Sequence, residues 1–227
     1  MKVLVFGASG MVGQGVLREC LLDPGVTEVL VVGRRPLGPR KGGPGHEKLK
    51  ELVHEDLADW SGAEDRLAGH DACFFCLGVS AAGLSEAEYT RITRDYTLAA
   101  AKVLAARAPK STFIYVSGQG TDPKGRSMWA RVKGKVEEEL LALSLEAYMF
   151  RPGLIKPMHG ARSRTTLYRI SYLALWPFMP LIRAAGGATT TEHVGKAMLE
   201  VARHGASKRF LTNKEIEALA KKATPAL

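Results

Sequence analysis

The segment "VFGASGMVGQG" sets Gly7, Gly10 and Gly13 at the spacing G-x-x-G-x-x-G, between a short β-branched run and a stretch with helical periodicity. Residues without a Cβ let backbone N–H groups approach a pyrophosphate, and the helix that follows adds partial positive charge at its N-terminus. Ser9 and Met11 belong to the same turn and join the three glycines as candidate contacts. The next apolar run closes on "VVGRRP". In a strand–turn–helix nucleotide site this is the place that separates the two nicotinamide cofactors, because a carboxylate there takes a ribose 2′-OH and an arginine takes a 2′-phosphate. Arg34 and Arg35 occupy it, and a planar guanidinium grips phosphate with two hydrogen bonds. NADP(H) is therefore expected in preference to NAD(H). The plainer alternatives are a glycine turn that binds nothing and two solvated loop arginines.

Further along, Ser117 follows an apolar run in "TFIYVSG", and Lys133 sits within "MWARVKGKVEEEL", which has the spacing of an amphipathic helix. Ser117 read alone is a turn residue after a strand. Lys133 and Lys135 each have a glutamate four residues on, Glu137 and Glu139, so either lysine would also fit a helix-surface ion pair. Cys73 and Cys76 form a C-x-x-C, but three residues apart on a strand they point to opposite faces and read as core thiols. The histidines His54, His70, His159 and His193 show no metal-ligand spacing and read mostly as surface residues, with His159 the one worth testing.

The elements that must hold these residues alternate. Apolar runs at 2–7, 28–34, 51–56, 72–78, 112–118 and 147–153 read as strands, and helical patterns separate most of them. Continuous apolar strands alternating with helices predict an α/β fold of Rossmann type, a doubly wound and mainly parallel sheet with helices on both faces. A long helix is expected over 85–107, opened by a Ser85–Glu88 capping box. Residues 34–48 read as a loop. A small substrate-side cap is expected over 156–190, then a helix over 190–203, a strand in "KRFLT" and a last helix capped by Asn213.

At 227 residues with 46% hydrophobic composition, one domain spanning the chain is the default reading. The net charge of +9 favours anionic partners, yet the basic clusters lie far apart and no nucleic-acid reader motif is present, so no nucleic-acid partner is expected. Three cysteines and a start that leads directly into a strand suggest a cytoplasmic setting. The longest apolar stretch, 170–182, carries two prolines and is too short to span a bilayer, so no transmembrane segment is expected.

"GASGMVG", "EDL" at 55–57, "CLG" at 76–78, "VSG" at 116–118, "VKGKVEE" and "FRPG" together resemble the atypical short-chain dehydrogenase/reductases. The likeness is greatest to the NAD(P)-binding group around the Tat-interacting protein and the NmrA-like and epimerase-like oxidoreductases, over nearly the whole chain. It implies that Asp56 and Leu57 lie by the adenine, and that Cys76, Leu77 and Gly78 line the cofactor by backbone. Ser117 takes the place of the catalytic serine, Lys133 that of the lysine on the nicotinamide ribose, and Pro152 and Gly153 sit against the nicotinamide. It also suggests a homodimer through helices at 84–107 and 127–144. One position departs: Trp129 stands four residues before Lys133, where the pattern has a tyrosine, and indole donates without titrating. Tyr168 and Tyr172 in the cap are the substitutes to consider, beside a substrate-borne or water-relayed proton; Tyr115, on the strand before Ser117, reads as buried. Two readings follow: an NADP(H)-dependent oxidoreductase acting on a small carbonyl or alcohol, or an NADP(H)-binding regulator with little turnover.

Overall fold

The computed structural model describes residues 1–38, 42–162 and 186–223. Seven strands, β1 (Lys2–Phe6), β2 (Glu28–Gly33), β3 (Leu49–Val53), β4 (Ala72–Phe75), β5 (Thr112–Val116), β6 (Glu146–Arg151) and β9 (Phe210–Thr212), make one sheet in the order β3-β2-β1-β4-β5-β6-β9. Every pairing in it is parallel. Parallel strands need crossovers on the sheet faces, which is why the central strands are apolar on both sides. Along β1, Val3 and Val5 enter one core while Leu4 and Phe6 enter the other, as the two-residue period of a strand demands.

The first core is covered by α1 (Met11–Leu22), α5 (Thr191–His204) and α6 (Asn213–Lys222), the second by α3 (Tyr96–Arg107) and α4 (Met128–Leu141). Helices α1 and α5 cross closely because Gly15 lies on Thr191 and Gly195 on Glu19, with no room for a Cβ at either glycine.

The long helix expected over 85–107 is three pieces: α2 (Glu86–Thr90), a π-helical turn over Arg91–Asp95, and α3. The Ser85–Glu88 capping box opens it. The wider turn carries Arg91 to Asp56 at 3.4 Å and lays Arg94 across Glu139 of α4. Contrary to the expected cap, Thr212 opens α6, its N–H and hydroxyl both donating to Glu215, and Asn213 is the first helical residue. The side chain of Asn213 turns inward instead, accepting from Gly153 N–H at 3.1 Å and donating to the Gly186 carbonyl.

Of the expected cap, residues 163–185 lie outside the described residues, and with them Tyr168, Tyr172 and most of the apolar stretch 170–182. Its two ends are held together as a separate parallel pair, β7 (Leu154–Lys156) with β8 (Ala188–Thr190). No described helix is long and apolar enough to cross a membrane.

Candidate functional site

The sheet order turns back on itself between β1 and β4, and such a switch point opens a crevice at the carboxyl ends of the strands. A cavity of about 640 Å³ lies there. Its floor is the start of α1, where Gly10, Met11 and Val12 line it. Gly10 opens the helix without a side-chain cap and no acidic residue stands in the first turn, so among the described residues no side chain caps the leading N–H groups of α1.

Two glycines make that turn possible. Gly7 has φ +77°, and a Cβ on it would collide with the backbone of Leu77 behind β4. A Cβ on Gly13 would strike the Gly7 carbonyl, so the helix can start this close to the strand only with glycine there. The loop closes by a hydrogen bond from Gly10 N–H to the Gly7 carbonyl, 2.9 Å. A cradle this tight, ending on bare helix N–H groups, fits a pyrophosphate.

Pairing of Phe6 with Val32 sets the end of β2 beside the Gly7 turn, so Arg34 and Arg35 emerge next to the glycine loop, both exposed. The Arg34 guanidinium lies 5.8 Å from the Tyr96 ring centroid. Asp56 is exposed on the adjoining strand end; its carboxylate accepts from Ala58 N–H and meets Arg91. Leu57 is wholly buried in the second core, which leaves its backbone rather than its side chain for any ligand.

Cys76, Leu77 and Gly78 line the cavity wall as the chain leaves β4, and Pro152 and Gly153 line it beyond β6. The Cys76 thiol is held far above its ordinary pKa by burial, so it is an inert wall rather than a nucleophile. Cys73 points into the second core, and all three cysteines are free. Ser117 and Lys133 meet at the end of β5. The Ser117 hydroxyl pairs with that of Thr121 at 2.9 Å, and both residues are buried. The Lys133 ammonium donates to the carbonyls of Val116 at 3.0 Å and Ser117 at 3.3 Å, with its Nζ 5.2 Å from the Tyr115 ring centroid. Burial lowers its pKa to about 8.

The helix-surface pairs that spacing allowed do not form. Glu137 is buried and clasped by both arms of Arg151, and Glu139 is taken by Arg94, so neither pairs with its lysine. Trp129 lines the same cavity as Lys133 and lies over the Gly118–Gly120 loop. Among the histidines, His70 is buried, contrary to a surface reading. His159 sits outside the main cavity, paired with Glu192 at 2.8 Å, and has the left-handed φ of 52°.

Three residues of the site carry no recognisable signal in the sequence. Gln119 lines the cavity and its N–H holds the Pro152 carbonyl, Thr121 pairs with Ser117, and Asn213 pins Gly153 from a helix 60 positions away. Each acts through a contact that only the folded chain creates.

The sequence matches the NAD dependent epimerase/dehydratase family over residues 3–139. Protein fmp52, mitochondrial, of Emericella nidulans is 32% identical over 158 residues, 68% of this chain and 66% of that protein. Protein HTATIP2 of Rattus norvegicus is 30% identical over 158 residues, 68% of this chain and 62% of that protein, so the chain spans somewhat under two thirds of both relatives. The YIR035C short chain dehydrogenases/reductase of Saccharomyces cerevisiae superposes with a TM-score of 0.67 over 99% of each chain at 15% identity, a likeness of fold. With the glycine turn, strands β1 to β5, Ser117 and Lys133 inside the matched stretch, the chain belongs to the NAD dependent epimerase/dehydratase family.

Proposed function

We propose that the chain is an NADP(H)-binding oxidoreductase of the atypical short-chain dehydrogenase/reductase type, moving a hydride to or from a small carbonyl or alcohol. The observation that carries this reading is the convergence of the bare α1 N-terminus, Ser117, Lys133 and the Pro152–Gly153 turn on one cavity. Bound in it, a nicotinamide supplies or accepts the hydride.

The chain's own residues divide the rest of the work. Gly7, Gly10, Met11 and Gly13 hold the pyrophosphate by backbone, Ser9 adds a hydroxyl contact, and Asp56 with the Leu57 backbone takes the adenine. Arg34 and Arg35 take the 2′-phosphate. Cys76, Leu77, Gly78, Pro152 and Gly153 confine the nicotinamide half, Lys133 holds its ribose, and Ser117 orients the substrate oxygen. The whole chain acts as one domain, cytoplasmic in setting, and pairs into a homodimer through α3 and α4.

Purified protein with NADPH and a panel of aldehydes, ketones and quinones should oxidise the cofactor, and a Ser117→Ala/Lys133→Ala variant should not. Arg34→Ala with Arg35→Ala should weaken NADPH binding by about tenfold or more and leave NADH binding unchanged. Equal losses for both cofactors would remove the NADP(H) preference. Trp129 in the cavity wall favours a second reading, a cofactor-binding regulator with little turnover. Tight NADPH binding with no oxidation across the panel would select it.

A further inference from the structure

We propose that Lys133 itself gives and takes the proton at the substrate oxygen, a task for which no tyrosine lines the cavity among the described residues. The inference rests on the oxidoreductase reading above.

The other candidate donors among the described residues are unsuited. Trp129, one helical turn before Lys133, offers an indole N–H that does not titrate usefully. Tyr115 is 1% exposed in the second core, its Oη has no hydrogen-bond partner, and burial keeps the phenol well above its ordinary pKa. Tyr89 is 2% exposed and held high in the same way. No tyrosine lines the cavity among the described residues. Ser117 is tied to Thr121, and an aliphatic hydroxyl orients an oxygen better than it protonates one.

Lys133 has both the place and the protons. Two of its three N–H groups are spent on the Val116 and Ser117 carbonyls, and the third remains for the cavity it lines, where it turns from the ribose hydroxyl it holds to the substrate oxygen for the proton transfer. The groups facing it from each packed element leave it poised. On α4, Glu137 is the nearby carboxylate and favours the charged form, yet both its oxygens are bound by Arg151 from β6. From β5 comes the Tyr115 ring, and beyond β4 the Cys76 thiol stays protonated. With a pKa of about 8, the ammonium predominates at neutral pH and the amine is within reach, the condition for acid–base work near pH 7.

In the reducing direction a bound reduced nicotinamide would supply the hydride, with its electron pair, to the carbonyl carbon. The C=O π pair closes on a proton from Lys133, leaving an alcohol, an oxidised nicotinamide and a neutral amine that regains its proton from water. Reduction therefore needs charged Lys133 and fades as pH rises through about 8, whereas oxidation of the alcohol needs the amine and rises over the same interval.

The test uses the full chain labelled with ¹³C-lysine, with Lys133→Met identifying the Lys133 Cε resonance. That resonance should titrate with a midpoint near 8, and kcat/KM for carbonyl reduction should fall with the same midpoint. Lys133→Arg, which keeps the charge and the donors but holds its proton, should retain NADPH binding and lose about 100-fold or more of turnover. The inference alone is overturned if Lys133→Arg keeps its turnover, if the pH limb survives in it, or if Tyr168→Phe or Tyr172→Phe removes the limb instead. NADPH binding with no turnover in the unaltered chain overturns both the inference and the oxidoreductase reading.

Discussion

The two ends of the crevice are built in opposite ways. At the α1 end, the ligand-facing surface is backbone, supplied by a contiguous loop from Gly7 to Gly13 whose shape depends on side chains that are missing. At the β5 end the surface is side chains, Ser117 from the end of β5 and Lys133 with Trp129 from α4; Thr121 braces Ser117, while Gln119 and Asn213 hold the Pro152–Gly153 turn beside them. A backbone site is rigid and tolerates almost no addition. A side-chain site is adjustable one group at a time, which is how one position can hold an indole while the rest of the crevice stays intact.

That contrast is broken most severely at Gly13. Gly13→Ala drives a Cβ into the Gly7 carbonyl, which cannot move without opening the β1–α1 turn. The expected outcome is a loss of NADPH affinity of about 100-fold or more together with a lowered unfolding midpoint, since the clash costs on the order of 3 kcal/mol. Gly78→Ala is the matched control: its Cβ would meet nothing within 4 Å, so the unfolding midpoint should hold and any effect should be confined to ligand binding. If both variants unfold alike, the glycine loop is an ordinary structural turn.

At the other end the largest effect falls behind the cavity. Glu137 has a side-chain exposure of 2% and is balanced by Arg151, so Glu137→Ala strands a guanidinium that is itself mostly covered. Removing one partner of a buried pair costs about 3 kcal/mol, measurable by urea unfolding. Because Glu137 also favours the charged form of Lys133, its loss lowers the lysine pKa, and the pH limb of reduction should move to lower pH. A variant as stable as the unaltered chain would show the pair to be dispensable.

The same contrast explains what the sequence discloses. The glycine loop, the β-branched strands and the Ser85–Glu88 cap are local patterns, and the parallel sheet with helices on both faces follows from them. The pairings of lysines with glutamates at four-residue spacing were equally local, and they fail because Arg94 and Arg151, 45 and 14 positions away, compete for the same carboxylates. Asn213 departs from its expected capping role for a like reason: a residue type suited to capping is drawn inward by Gly153, and the neighbouring Thr212 opens the helix. The π-turn at Arg91–Asp95 has no compositional mark at all.

A smaller change tests whether the β5 end lacks anything. Trp129→Tyr supplies a phenol in the cavity wall. With Lys133 already serving the substrate oxygen, turnover should change by less than about tenfold, since a second donor adds little where one is in reach. A rise of two orders of magnitude would mean that the site had been waiting for its tyrosine.

The mildest perturbation is Thr121→Val, which removes the hydroxyl paired with Ser117 while keeping the shape of the side chain. Ser117 is buried, so its Oγ loses the partner that fixes its rotamer and is free to turn from the substrate oxygen. A neutral hydrogen bond of this kind is worth about 1 kcal/mol, so kcat should fall by roughly threefold to tenfold with NADPH affinity unchanged. Thr121→Ser restores the hydroxyl and should restore most of the rate. That rescue distinguishes orientation of Ser117 from simple filling of space, because Ser fills less than Val yet keeps the bond.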